Sequence, residues 1–173
     1  ASTGNAGAAM ACMAASVGKK AVIIAPRSAP PAKVAQLLTF GAEVVLVDGT
    51  YDQAFDLSIE ASDELGWYNR NTGYNPYTVE GKKTAGLEIW EQVLLNRDQF
   101  DQNMTVFIPV GDGNILSGVA KGFADLLALG WIERLPRLVG VQAEGSAAIF
   151  NAFTAGKDVI EKKKKKTVAD SIS

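Results

Sequence analysis

Four short apolar runs alternating with segments long enough to be helices constrain this chain's fold more than any other feature. The runs are Ala21-Val22-Ile23-Ile24-Ala25, Val44-Val45-Leu46-Val47, Thr105-Val106-Phe107-Ile108-Pro109-Val110 and Arg137-Leu138-Val139-Gly140-Val141-Gln142. Continuous runs of this length suit strands covered on both faces. Strands separated by helices pair in parallel, because a crossover returns the chain to the same end of the sheet. The expected fold class is α/β, with mainly parallel sheets flanked by helices. Helices are expected at Ala6–Val17, ending at Gly18, and from Pro30 and Pro31 through Phe40, ending at Gly41. Further helices are expected at Tyr51–Leu65, at Lys83–Asn96 with Leu87, Trp90, Val93 and Leu94 on one stripe, at Ile115–Leu129 and at Ala147–Ala155. Residues Gly66–Pro76 show no period and read as loop.

Composition limits the chemistry. The absence of histidine removes histidine general bases, histidine-ligated metals and serine–histidine or cysteine–histidine nucleophiles from within the chain. A single cysteine, Cys12, rules out an internal disulfide or a zinc site built on paired cysteines, and among its alanines it reads as a packing residue. No metal site is expected. The 17 basic and 19 acidic residues leave a net charge of −2, so no global field recruits nucleic acid or an anionic membrane. No apolar run reaches the roughly 18 residues of a membrane helix, and a cytoplasmic setting is the default. Trp67, Trp90 and Trp131 read as packing residues, and Lys19, Lys20, Lys82, Lys83 and Lys121 as solvated ones. The run Lys162–Lys166 reads as a solvated loop. Beginning at Ala1 and stopping at Ser173, the chain is expected to be incomplete at both ends.

In parallel sheets ligands gather at the carboxyl ends of strands, where helix N-termini offer free backbone N–H groups. Two loops have that design. Ser2-Thr3-Gly4-Asn5 immediately precedes a helix, and it reads either as a carboxylate cradle or as an ordinary helix cap. Gly111-Asp112-Gly113-Asn114 joins the third strand to a helix and reads either as a phosphate loop or as a tight turn. It lacks the dinucleotide spacing, since the next glycine is Gly118, and the chain has no Gly-Lys-Ser or Gly-Lys-Thr of a P-loop. A small phosphorylated ligand remains.

Taken in order, Ser2-Thr3-Gly4-Asn5, Asn75-Pro76-Tyr77, Glu80-Gly81-Lys82-Lys83-Thr84, Pro109-Val110-Gly111-Asp112-Gly113-Asn114-Ile115, Gly140-Val141-Gln142-Ala143-Glu144-Gly145 and Thr167-Val168-Ala169-Asp170-Ser171-Ile172 span the chain. In order and spacing they resemble the threonine synthases, members of the tryptophan-synthase-β-like group of fold type II pyridoxal-phosphate enzymes. The resemblance implies pyridoxal 5'-phosphate as cofactor, with Asn5 at its ring hydroxyl and Gly111, Asp112, Gly113, Asn114 and Ile115 at its phosphate. It also implies that Ser2, Thr3, Gly4 and Asn5 take the substrate carboxylate, and that Glu80 to Thr84 form part of the neighbouring wall. Threonine and serine dehydratases tend to have histidine after the loop asparagine and a run of glycines at the phosphate. Here Ala6 follows Asn5, and Asp112 and Asn114 interrupt the glycines.

In this family the lysine that attaches the cofactor precedes the Ser-Thr-Gly-Asn loop, and the partner of the pyridine nitrogen lies beyond the last segment matched. No catalytic residue is therefore assigned here. The implied reaction converts O-phospho-L-homoserine and water to L-threonine and phosphate, so the partner is a small amino-acid substrate, and a homodimer stays open. A threonine or serine dehydratase, a cysteine synthase, or a non-catalytic chain that binds phosphate or an amino acid are the alternatives. Residues 1–80 are expected in a smaller substrate-side domain and 81–173 in a larger cofactor-phosphate domain. Without its flanks, the chain is expected to expose apolar sheet surface.

Overall fold

The computed structural model describes residues 1, 2, 4–96, 103–160, 167 and 168. Thr3, the Lys162–Lys166 run and the end from Ala169 lie outside the described residues. The chain divides into two compact units, Ala1–Tyr74 and Asn75–Ser173.

The first unit runs α1 (Asn5–Ser16), β1 (Val22–Pro26), α2 (Pro31–Thr39), β2 (Glu43–Val47) and α3 (Tyr51–Leu65). β1 and β2 pair in parallel, from Val22 opposite Glu43 to Pro26 opposite Val47. Pro31 opens α2, where its missing N–H costs nothing. Thr50 and Gln53 form a reciprocal capping box at the start of α3. Ala11 and Ala14 of α1, Ile23 of β1 and Leu37 of α2 form the core with Ala21 and Ala42. Ile24 points to the opposite face of β1 and is also buried, with α3 packed on that strand.

Two expectations fail in this unit. β2 is not buried on both faces: Val45 and Leu46 are 44% and 37% exposed, because α2 packs on a strand whose only described partner is β1. Cys12 is exposed rather than packed, since the buried stripe of α1 runs through Gly7, Ala11 and Ala14 and leaves the next residue outside it.

The second unit runs α4 (Tyr77–Asn96), β3 (Thr105–Pro109), α5 (Asn114–Ala128), β4 (Arg137–Val141), a 3-10 turn at Glu144–Ser146, and α6 (Ala148–Thr154). β3 and β4 pair in parallel, Thr105 opposite Arg137 through Pro109 opposite Val141. Phe123 and Leu126 of α5 are fully buried with Ile108, Val119 and Ile132, and Leu87, Ile89 and Trp90 of α4 pack against them. Trp90 lies 5.1 Å from Trp131 between ring centres, and its indole N–H has no partner among the described residues. Phe107 and Val141 are 69% and 48% exposed, so apolar sheet surface is open here too. α4 begins at Tyr77, not near Lys83, because Asn75 accepts the backbone N–H of Tyr77 and starts the helix early.

Glycines let α4 and α5 approach to backbone contact. A Cβ on Gly122 would stand 2.4 Å from the Lys83 carbonyl oxygen, one on Gly118 2.5 Å from Lys82 Cβ, and one on Gly86 2.7 Å from the Val119 carbonyl oxygen. Beside this seam the lysines expected to be merely solvated form a closed set of ion pairs. Lys83 Nζ lies 2.8 Å from Asp125 and 3.0 Å from Glu80, and Lys121 Nζ lies 3.2 Å from Glu80 and 3.5 Å from Asp125. The hydrogen bond from Lys83 is the chief reason that the pKa values of both carboxyls lie below their ordinary values. Lys83, chiefly through Asp125, and Lys121, chiefly through Glu80, are raised in turn.

Gly122→Ala should destabilise the unit by about 1–3 kcal/mol, because a rigid carbonyl cannot yield to the new methyl. Gly81→Ala in α4, where a Cβ meets nothing within 4 Å, should instead stabilise by about 0.5–1 kcal/mol through helix propensity. Urea unfolding of both variants checks the opposite signs. The ion pairs should contribute fully above the ordinary carboxyl values of 4.5 and 3.8 and below the ordinary lysine value of 10.5. Their contribution should fade as pH falls through the lowered carboxyl values or rises through the raised lysine values. The stability difference between wild type and Lys83→Gln should therefore shrink in acid, in strong base and in molar salt.

Candidate functional site

Ser2 lies beside β1, where its backbone N–H donates to the Ile24 carbonyl at 3.2 Å. Its hydroxyl accepts the N–H groups of Gly4, the N-cap residue of α1, at 3.2 Å and of Gly7 at 3.0 Å, and so does a cap's work from two residues upstream. Gly7 is needed for this approach: a Cβ there would sit 3.2 Å from Ser2 Cβ. The N–H groups of Asn5 and Ala6 have no partner among the described residues, and both residues are exposed. The cap and cradle readings are thus compatible. Ser2 saturates two amides of the first turn and leaves two open at the positive end of the helix dipole.

A polar cluster backs the start of this loop. Ser58 donates to the Phe55 carbonyl at 2.6 Å, and Ser62 donates to the Ser58 carbonyl at 2.6 Å. Asn71 donates to the Ser58 hydroxyl at 2.6 Å and accepts from the Ala1 nitrogen. Asn69 donates to the Ser62 hydroxyl at 3.0 Å and accepts the Asn71 N–H at 2.8 Å. Ser58, Ser62 and Asn71 are all buried, and the cluster leaves them satisfied. The expected loop Gly66–Pro76, having no period, carries no signal in the sequence for these contacts of Asn69 and Asn71.

The second loop leaves the carboxyl end of β3. Gly113 caps α5 with φ at +87°, a left-handed conformation that disfavours any side chain. Its carbonyl accepts the Ser117 N–H at 2.9 Å, and the Asp112 carboxylate accepts the Asn114 N–H at 3.0 Å. The N–H groups of Gly113, Ile115 and Leu116 have no partner among the described residues. The Asn114 amide, expected to face a phosphate, is therefore already engaged by Asp112. A phosphate would take its neighbours' amides while the exposed Asp112 remains in solvent. Three open donors at the end of a 15-residue helix, with no side chain at Gly113, fit a phosphate group.

Ser2, Gly4 and Asn5 thus come together in the first unit, and Gly111, Asp112, Gly113, Asn114 and Ile115 in the second. Glu80 and Lys83 belong to the ion pairs joining α4 to α5. Among the described residues no group of three metal-ligating side chains occurs, and no helix is long and apolar enough to cross a membrane.

Residues 1–173 match a family described as pyridoxal-phosphate dependent enzyme. A threonine synthase from Methanocaldococcus jannaschii is 37% identical over 99% of this chain, and one from Methanosarcina acetivorans is 36% identical over the same share. The chain spans 42% of the length of each. Among solved structures, the processed form of threonine deaminase isoform 2 from Solanum lycopersicum superimposes with a TM-score of 0.81. It is 27% identical and covers 99% of this chain, which in turn covers 46% of it. With its parallel strands and helix-capped loops, the chain belongs to the pyridoxal-phosphate dependent enzymes of fold type II.

Proposed function

We propose that the protein carrying this chain is a threonine synthase, converting O-phospho-L-homoserine and water to L-threonine and phosphate. The observation that carries the reading is the 37% identity to a threonine synthase along nearly the whole chain, against 27% to a threonine deaminase of the same fold. Ala6 after Asn5 and the interrupted glycine loop favour the same reading.

When bound, pyridoxal phosphate supplies the electron sink for chemistry at the carbons of the amino acid. The residues of this chain bind and orient. Gly113, Ile115 and Leu116 offer N–H groups to the cofactor phosphate, and the α5 dipole adds attraction for its negative charge. The open amides of Asn5 and Ala6, together with Thr3, receive the substrate carboxylate. The Asn5 side chain takes the cofactor's ring hydroxyl. Ser2 acts by holding the first turn of α1 in shape, its hydroxyl already accepting two amides. In this reading the unit Ala1–Tyr74 is the substrate side and Asn75–Ser173 the cofactor-phosphate side.

Likeness in fold to threonine deaminase supports a second reading, a dehydratase that releases ammonia from threonine or serine. Turnover by the whole polypeptide carrying this chain separates the two. Phosphate and threonine should appear in equal amounts from O-phospho-L-homoserine. Release of 2-oxobutyrate from threonine without phosphate release from the ester would replace the proposal with the dehydratase. Gly113→Ala should cost about 1–2 kcal/mol of strain at its left-handed position. In the same polypeptide it should weaken pyridoxal phosphate about tenfold while leaving pyridoxal, which lacks the phosphate, nearly unchanged. Equal affinity of wild type and variant for pyridoxal phosphate would remove the phosphate from this loop.

A further inference from the structure

The segment Gly140-Val141-Gln142 stands out in the sequence, yet neither loop described above accounts for it. Gly140 has a packing reason: a Cβ there would lie 3.1 Å from Val110 Cγ2 and 3.5 Å from Leu116 Cδ2. Gln142 lies just past β4, partly buried, and reaches the phosphate loop from behind. Its Oε1 accepts the backbone N–H of Phe150 in α6 at 2.8 Å. Because that neighbour can only donate, the amide orientation is fixed, and Nε2 faces acceptors. Nε2 donates to the Val110 carbonyl at 3.2 Å and approaches the Gly111 carbonyl at 3.5 Å. From the same helix, Ile149 Cδ1 stands 3.5 Å from where a Gly113 Cβ would be.

We propose that Gln142 is a positioning residue for the phosphate loop, tying the carbonyls of Val110 and Gly111 to the start of α6. The inference rests on the reading of Gly111–Asn114 as the loop that holds the cofactor phosphate. Its physical basis is the planarity of the peptide group. In a trans peptide the C=O and the following N–H point in opposite directions. By engaging the carbonyls of residues 110 and 111, Gln142 aims the N–H groups of Gly111 and Asp112 away from itself. Those two peptide planes flank glycine, where rotation meets little steric resistance. Without Gln142 they are free to turn, and the backbone that leads into the Gly113, Ile115 and Leu116 donors loses its fixed start. Gln142 touches no reacting atom in this account; it acts through the loop.

The test uses the whole polypeptide carrying this chain, with affinities for pyridoxal phosphate and for pyridoxal measured side by side. Gln142→Leu removes both arms of the contact and should weaken pyridoxal phosphate about tenfold while changing pyridoxal less than about twofold. Gln142→Glu keeps an acceptor for Phe150 but turns a carboxylate towards two carbonyls, and it should show the same phosphate-selective loss. In the cofactor-free protein, amide hydrogen exchange at Phe150 should quicken in Gln142→Leu, which removes its acceptor, but not in Gln142→Glu, while exchange in the β3 core stays unchanged in both. Equal weakening of both ligands would mean a general structural role and overturn the proposal, as would full affinity in either variant. Gly113→Ala distinguishes the two levels. If it weakens pyridoxal phosphate and Gln142→Leu does not, Gln142 alone is wrongly assigned; if neither does, the phosphate reading of the loop falls with it.

Discussion

Parallel pairing is the constraint on which both units depend. Two parallel strands cannot be joined by a tight turn, so the chain must leave the end of one strand, cross by way of a helix and return. Each crossing creates a junction at which a strand's carboxyl end feeds a helix N-terminus. At the end of β3 that junction is Gly111–Asn114, whose backbone is held by Val110 pairing onto Val141 at 2.8 Å and by Gly113 capping α5. The donors at this junction come from the route of the backbone rather than from any charged side chain. A chain with no histidine can therefore still present a set of open donors.

The direction of α5 is set by its neighbour as much as by its own strand. Gly118 and Gly122 bring its backbone against α4, and the Glu80, Lys83, Lys121 and Asp125 charges close over the seam. Short-range contact and partly exposed charge do different work. The glycine seam fixes separation, which tolerates little error. The ion pairs respond to pH and salt and add registry along the helices.

Strands, most helix ends and both loops were legible in the sequence because each follows from local chemistry: apolar runs, prolines at helix starts, glycines at stops and at the left-handed turn; the start of α4, set by the Asn75 side chain, was not. The exposure of Val45, Leu46, Phe107 and Val141 was not legible in the runs themselves, since a continuous apolar run reads as covered on both faces whatever in fact packs on it. Cys12 misled because alanine neighbours say nothing about which side of a helix is buried. The hydrogen bonds of Gln142, the buried cluster around Ser58 and the pairing of lysines across helices were invisible. Each joins residues far apart in sequence through side-chain geometry, as between Gln142 and Val110 or between Lys83 and Asp125. The identity of the fold, by contrast, was carried by the order of several short motifs, none decisive alone.

The tryptophans give the two units different optical characters. Trp67 belongs to the first unit and is 43% exposed, so its emission reports on an indole in contact with water. Trp90 and Trp131 belong to the second, with ring centres 5.1 Å apart and planes inclined at 31°. Indoles this close couple their electronic transitions, and the Trp90 N–H, lacking a partner among the described residues, leaves that ring without a hydrogen-bonded solvent cage. Coupled circular dichroism in the near ultraviolet thus belongs to the unit that carries the Gly111–Asn114 loop, whereas water-exposed indole occurs in both, Trp131 being 59% exposed. Melting of the second unit is marked by the loss of that coupled signal.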